Sequence, residues 1–543
     1  MKDILKSSWK SNSYDFVGKI VVFALMFFQL FLVFLSQTRV VINVDGIFSY
    51  TLANNPYHYT FIDAAYEDFP NNNGWIDAHI LRESYVVEVY DRFNYSAVYY
   101  HQRYDVHPPF YYFLLHTFSS LFAGTYSNLY AMSVNLVALF FIDLVMIKLF
   151  CMFYGKAEYA VIPFSFLILM NTMQFLYTWA RMYMMLFLFC AWYLYIHGRL
   201  INEEKWKKSY FIQMICCIFF GTLTHYYFYV YAAFLSLFSI VFFIRKRGRY
   251  KVFNYLYSGI AGLALSWIFY PWVWWHMFDN PQGKHTEIIP WSLNKIKQYF
   301  VFLNEKLFNG RIWLVGLILI LLWLCVLISG GRKREIVDVD QRSFRRIILG
   351  SGMLYSLLIY TLDNGDALMY YSTPFYTAFI VWFSMVLLDV AKRLTVFGKR
   401  DVLIIVTAVV CVTVIYSTSA MNTYVTNAEF VISRVLNHES LRDGFYKVSE
   451  NYKKYDCIYI EKSQDNLLHN YYFEFGEYDE FKKISVENFE QYGISTETLN
   501  GRTSRGGGIL IYAPKECIFD ESSYKLVASD GSYNIFELIN GED

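Results

Sequence analysis

The chain has 543 residues, of which 56% are hydrophobic, 21% aromatic and only 17% charged. A soluble protein cannot bury that much apolar side chain, and the excess comes in long blocks, so the composition excludes a soluble domain and predicts a polytopic membrane protein. The formal net charge of +1 conceals a segregation: Lys and Arg crowd a few short loops, acids crowd the first loop and the C-terminal region, and no nucleic-acid partner is expected.

Lys2, Lys6, Lys10 and Lys19 precede an unbroken apolar run from Ile20 to Leu35 that no small-residue cleavage pattern follows. This reads as an uncleaved signal anchor with a cytoplasmic N-terminus. The loop 41–109 is too polar to span and carries Asp45, Asp63, Glu67, Asp68, Asp77, His79, Glu83, Glu88, Asp91, His101, Asp105 and His107. Its apolar residues near Ile80–Tyr90 suit an amphipathic helix at the membrane surface.

Further apolar runs follow at roughly 128–150, 158–177, 180–198, 209–224, 225–244, 252–275, 311–330, 345–362, 367–388 and 402–419. The stretch 110–123 is short for a crossing, which needs about twenty residues. Taking it as a surface helix places the clusters Arg199–Lys208, Arg245–Lys251, Arg332–Arg346 and Lys392–Arg400 with the N-terminal lysines. The positive-inside rule then predicts about eleven spans, with the N-terminus inside and the C-terminus outside. Residues 1–420 form the membrane module. Residues 421–543, with helical patterning near 427–452 and strand-like runs at Cys457–Glu461, Ile509–Tyr512 and Tyr533–Ile539, predict a small extracytoplasmic α+β domain. If that domain is outside, Cys457 and Cys517 are the one pair placed to form a disulfide.

On this topology the suspicious residues share the outer face: Asp45, Asp105, His107, Trp179, Arg181, Tyr183, His225, Tyr226, the loop 274–311, Asp363, Asp366, Tyr370 and Tyr371. A carboxylate at Asp45, held by Val44, Ile47 and Phe48, gains basicity if partly desolvated; the plainer account is a helix N-cap beside Gly46. In Asp105-Val106-His107-Pro108-Pro109 the first proline biases His107 to an extended backbone, so the acid and the imidazole share a face. That pair could hold a divalent cation, bind a phosphate, or have one group tune the other; it could also merely cap the next helix. Arg181 offers a fork for a phosphate if it faces the bundle, and snorkels if it does not. His225 is either a further donor to the same anion or a structural histidine. Asp143, near the end of its run, is expected to pair with Lys148 or water. Asp363-Asn364-Gly365-Asp366 looks first like a tight turn, and Gly506-Gly507-Gly508 is too weak a pattern to assign to phosphate.

With Asp45 after the first span, Asp105-Val106-His107-Pro108-Pro109-Phe110-Tyr111-Tyr112 followed by His116, and Ala180-Arg181-Met182-Tyr183, the chain resembles the integral-membrane glycosyltransferases of the GT-C fold. The resemblance is to family 39-like enzymes related to the protein O-mannosyltransferases and the bacterial aminoarabinose transferase, over about residues 15 to 390. His-Pro-Pro followed by Tyr-Tyr is its most specific element. The family often has Glu directly after the first-loop Asp, where this chain has Gly46.

The resemblance implies a polyprenyl-phosphate-linked sugar as donor and a reaction on the outer side of the plasma membrane. Asp45 would act at the reaction centre, and Arg181, His107 and His225 would hold the donor phosphate, supported by Asp105, Tyr183 and Tyr112. No cofactor is assigned with certainty; Asp105 and His107 could hold a divalent cation. The acceptor is a lipid, protein or polysaccharide hydroxyl, and Trp272, Trp274, Trp275 and Trp291 suit a platform for sugar and lipid. Two other classes stay open, a transporter or flippase of a lipid-linked sugar and a non-catalytic cell-envelope assembly protein. The first calls for symmetric halves and charges near the bilayer midplane, whereas the charges here gather at one face.

Overall fold

A computed structural model describes residues 13–37, 44–56, 75–278, 292–328, 339–362, 368–394, 404–416, 424, 448, 451–452, 454–461, 473–494, 508–529 and 533–539. Asp363, Asn364, Gly365, Asp366, Trp291, Gly506, Gly507, Asp63, Glu67 and Asp68 lie outside these residues, as does nearly all of the helix expected near 427–452. The chain divides into two units. The first comprises Met1–Gln37, Asp105–Tyr111 and Met132–Glu429, and the second Thr38–Tyr104, Tyr112–Ala131 and Phe430–Asp543.

The first unit is helical, and every apolar run read from the sequence falls on a helix. Backbone polar groups in hydrocarbon must be satisfied within the segment, which leaves the helix as the solution for such runs. Among the described residues six helices are long and apolar enough to cross a membrane: Gly18–Gln37, Leu129–Tyr154, Tyr183–Asn202, Tyr227–Lys246, Arg249–Phe269 and Thr373–Lys392. A seventh crossing results if Ala157–Leu169 and Asn171–Thr178, bent by 73° at Met170, count as one span. Lys208–Thr222 and Ile404–Tyr416 are shorter apolar helices, and Val339–Leu362 opens on charged residues. The chain is an integral membrane protein on these helices alone.

Tyr183–Asn202 is the hub, packing on Lys208–Thr222, Tyr227–Lys246 and Thr373–Leu394. The hairpin between Lys208–Thr222 and Tyr227–Lys246 closes tightly, since a Cβ on Gly221 would lie 2.7 Å from the Phe228 ring. Asp143 is fully buried, and its partner is not Lys148: Gln29 Nε2, from the first helix, donates to its Oδ1 at 3.2 Å. A carboxyl facing the neighbouring helix reaches the polar group that helix offers, whichever lysine is close in sequence.

The second unit is built on a six-stranded sheet of order β1-β3-β2-β4-β6-β5, where β1 is Ile76–Asp77, β2 Asp456–Glu461, β3 Glu480–Ser485, β4 Ile509–Pro514, β5 Tyr524–Ser529 and β6 Tyr533–Leu538. The pairs β3–β2 and β2–β4 are parallel and the others antiparallel. Central strands covered on both faces read as continuous apolar runs, as Cys457–Ile460 and Ile509–Ala513 do. Strand β1 and helix His79–Tyr85 come from the first loop, and the loop and the tail share a core. Tyr126 stacks on Phe473 with centroids 4.2 Å apart, and Tyr85 donates to the Phe473 carbonyl at 2.9 Å. Burial of such rings is worth roughly 1.5–3 kcal/mol each. Cys457 and Cys517 are unbonded and buried. Cys517 packs with Ile458 and Ile460, and alternation turns Cys457 to the opposite face of the sheet, so the two thiols cannot meet.

Candidate functional site

The first unit gathers five of the seven residues singled out from the sequence. Two irregular segments do this. The first is the stretch Trp179–Met182, between helices Asn171–Thr178 and Tyr183–Asn202. No glycine or proline marks this break. It is held by side chains instead: Thr178 bonds back to the Gln174 carbonyl at 2.8 Å, which bends a helix. The carbonyls left free are taken by two buried amides from other helices. Gln37 Nε2 donates to Tyr177 O at 2.8 Å, and Asn135 Nδ2 to Trp179 O at 2.7 Å and Tyr177 O at 3.2 Å. Arg181 follows, buried, with its own N–H on Trp179 O at 2.8 Å. Sequence reading missed Gln37 and Asn135, whose only signal was an amide just past the end of one apolar run and inside another.

The second segment is the His-Pro-Pro stretch. Phe110 N–H donates to Leu223 O at 3.0 Å, pinning the start of helix Phe110–Leu121 to the turn that carries His225. Asp105 therefore does not cap that helix. Its Oδ2 accepts from the His107 backbone N–H at 3.2 Å and pairs with His107 Nδ1 at 2.8 Å. This leaves His107 Nε2 outside the pair. The rings of His107 and His225 lie 6.1 Å apart.

His225 is 5% exposed. The Tyr227 backbone N–H donates to its Nδ1 at 3.1 Å, so the neutral ring carries its hydrogen on Nε2. That buried Nε2–H has no hydrogen-bond partner among the described residues, and neither has the indole N–H of Trp179. Tyr183 joins these groups, with centroids 5.5 Å from His225 and 4.8 Å from Tyr370, and Tyr370 lies 5.2 Å from Trp179. Tyr371 packs on Tyr227 and His225.

The electrostatics agree with the geometry. Burial opposes ionisation of Asp105, but His107 and then Arg181 outweigh it and hold the carboxyl below the ordinary carboxylate range. Burial, with His107 and Arg181 adding to it, pushes His225 well below the ordinary histidine value, so its ring is neutral near pH 7. One positive fork, a neutral N–H donor and an oriented imidazole, ringed by tyrosines, suit a tetrahedral oxyanion. Among the described residues no group of three or more His, Cys, Asp and Glu side chains could hold a metal ion. Asp105 and His107 face each other, which orients the imidazole.

Asp45 and Tyr112 belong to the second unit. Asp45 stands in the first turn of helix Val44–Asn54, half-buried, within the helix rather than at its N-cap, and its carbonyl accepts from Ser49 Oγ at 3.1 Å. Tyr112 is fully buried. Trp274 and Trp275 are exposed, and between them and the His225 turn Tyr226 OH meets His276 Nδ1 at 2.5 Å.

Fold and site describe an integral membrane protein whose helical unit gathers Asp105, His107, Arg181, Tyr183 and His225. No family model and no curated protein matches the chain. Among solved structures it is similar to ArnT from Cupriavidus metallidurans bound to undecaprenyl phosphate, at 9% identity and a TM-score of 0.48, over 98% of this chain and 99% of that one. The apo form of ArnT gives 10% identity and a TM-score of 0.44, over 95% and 97%. The oligosaccharyltransferase of Archaeoglobus fulgidus, tethered with an acceptor peptide, gives 10% identity and a TM-score of 0.41, over 91% of this chain and 69% of that one.

Proposed function

We propose that the protein is a glycosyltransferase of the GT-C class that moves a sugar from a polyprenyl-phosphate donor to an acceptor hydroxyl on the outer face of the plasma membrane, with inversion. The observation that carries this reading is the unpartnered, buried His225 Nε2–H beside Arg181 and the Asp105–His107 pair. A buried donor left unmade is costly, and a phosphate oxygen satisfies it.

Arg181 and His225 hold the phosphate, and Asp105 fixes the His107 ring so that Nε2 serves the same anion. As the bond between the anomeric carbon and the phosphate oxygen breaks, charge grows on the leaving phosphate, and these donors stabilise it. Asp45 takes the proton of the acceptor hydroxyl while that oxygen bonds to the anomeric carbon, and the products are the glycosylated acceptor and polyprenyl phosphate. Tyr183 and Tyr370 supply the ring faces against which a sugar packs. No step calls on a cation.

The test is incubation of the purified protein with a polyprenyl-phosphate hexose and an alcohol acceptor. Release of free polyprenyl phosphate that depends on the acceptor is the expected result. Donor movement across a sealed vesicle without cleavage would establish a transporter instead.

A further inference from the structure

The second unit exposes an aromatic and aliphatic patch that its own core does not use. Val89 is 65% exposed, Tyr90 78%, Phe93 46%, Leu121 56% and Phe122 55%. Two segments compose it and are tied to each other. Gly124 N–H donates to Val87 O at 2.8 Å, Arg82 Nη2 to Gly124 O at 2.6 Å, and Phe93 N–H to Ser120 Oγ at 3.0 Å. The patch is therefore a built surface.

Phe93 carries the sharpest signal. Its φ is +58°, a left-handed conformation that bulky side chains rarely adopt. Its carbonyl is tied to Tyr95 N–H at 2.9 Å, so hydrogen bonds at both ends hold the backbone there. The result is a half-exposed ring beside Tyr95, with centroids 6.4 Å apart. Glycine would meet this backbone geometry without strain, so the phenylalanine is present for what its ring does.

What covers the patch follows from where it ends. Phe122 stacks on Tyr130 at 5.5 Å with planes 8° apart, and Tyr130 sits in the first turn of the membrane-spanning helix Leu129–Tyr154. A surface of Tyr, Phe, Val and Leu continuous with the end of a span lies at the depth where aromatic side chains partition between acyl chains and headgroups. We infer that Val89–Phe93, with Leu121 and Phe122, docks into the interfacial layer of the lipid bilayer. Glu83, Glu88 and Asp91 line the same loop, and Arg82 is already paired with Glu88 at 3.1 Å. Binding is thus apolar and needs no anionic lipid.

The test uses the full-length protein in vesicles of phosphatidylcholine, part of it carrying a diazirine near the acyl carbonyl, with and without phosphatidylglycerol. Adducts are mapped by mass spectrometry. Adducts on the Tyr90–Phe93 and Phe122 peptides in both vesicle types are expected, with none on Ile518, an apolar residue of the same unit that is 92% exposed. Tyr90→Ser combined with Phe93→Gly, which relieves the backbone, should abolish labelling of that loop while the Leu129–Tyr154 peptide stays labelled. Labelling of the loop no higher than that of Ile518 overturns the inference. So does labelling that requires phosphatidylglycerol, or crosslinking of Tyr90 to another protein in place of lipid.

Discussion

The backbone N–H of Tyr227 donates to Nδ1 of His225 at 3.1 Å, and that contact places the ring hydrogen on Nε2. A buried N–H with no partner among the described residues then points into a cluster that already holds Arg181. His225→Phe keeps the aromatic packing and removes the donor. Affinity for polyprenyl phosphate should fall by about 1 kcal/mol, roughly fivefold, as measured by equilibrium titration in detergent.

Arg181 supplies the charge. Arg181→Ala should weaken binding of the same ligand by about 1.5–3 kcal/mol, or roughly 10- to 150-fold, because charge-assisted bonds are the stronger class. An effect confined to the apparent affinity for the acceptor would remove Arg181 from the donor site.

Asp45→Asn is nearly isosteric and removes the base proposed for the acceptor hydroxyl. Turnover should fall by about 10²–10⁴-fold while donor affinity stays at the wild-type level. Near-normal turnover would sink the assignment of Asp45.

Gln37 and Asn135 are positioning residues for Arg181. Both donate to Tyr177 O, so either single change leaves that carbonyl one partner and the double change removes both. Gln37→Leu and Asn135→Leu should each raise the donor KM severalfold with kcat little altered, and the double variant should exceed their sum, since a buried carbonyl without these donors costs about 1–3 kcal/mol. Additive effects, or effects on kcat alone, would contradict the positioning role.

His116 gives a pH prediction. Burial lowers it to about 4, with its backbone contact to Ala53 opposing. The unfolded chain takes up the proton near pH 6.5 and the folded chain only near 4, so stability falls as pH drops through that window, by on the order of 3 kcal/mol. Thermal unfolding of wild type and His116→Phe from pH 7 to 4 checks this. The variant should lose less stability on acidification, and parallel curves would exclude His116 as a cause.

The sequence showed the helices because hydrocarbon enforces them, and Cys457–Ile460 and Ile509–Ala513 showed two strands because both their faces are buried. Strands β1, β3 and β5 were hidden, since Glu480–Ser485 and Tyr524–Ser529 carry exposed polar positions and Ile76–Asp77 pairs with strand β3 from the far end of the chain. At the site, Arg181 and His107 stood out as charges beside apolar runs. His225 looked as much structural as functional, because its meaning lies in the Tyr227 N–H, which no spacing reveals. The breaks at Met170 and Trp179 carry no glycine or proline, and the second is held by Gln37 and Asn135 from elsewhere in the chain.

Whether the cluster in the helical unit binds the donor phosphate is decided by binding alone. The most direct measurement is equilibrium binding of polyprenyl phosphate, without sugar or acceptor, to wild type, Arg181→Ala, His225→Phe and Asp45→Asn. Wild-type affinity is expected for Asp45→Asn and weakened binding for the other two. Unchanged affinity in Arg181→Ala and His225→Phe, with the loss in Asp45→Asn instead, would contradict phosphate binding by the cluster.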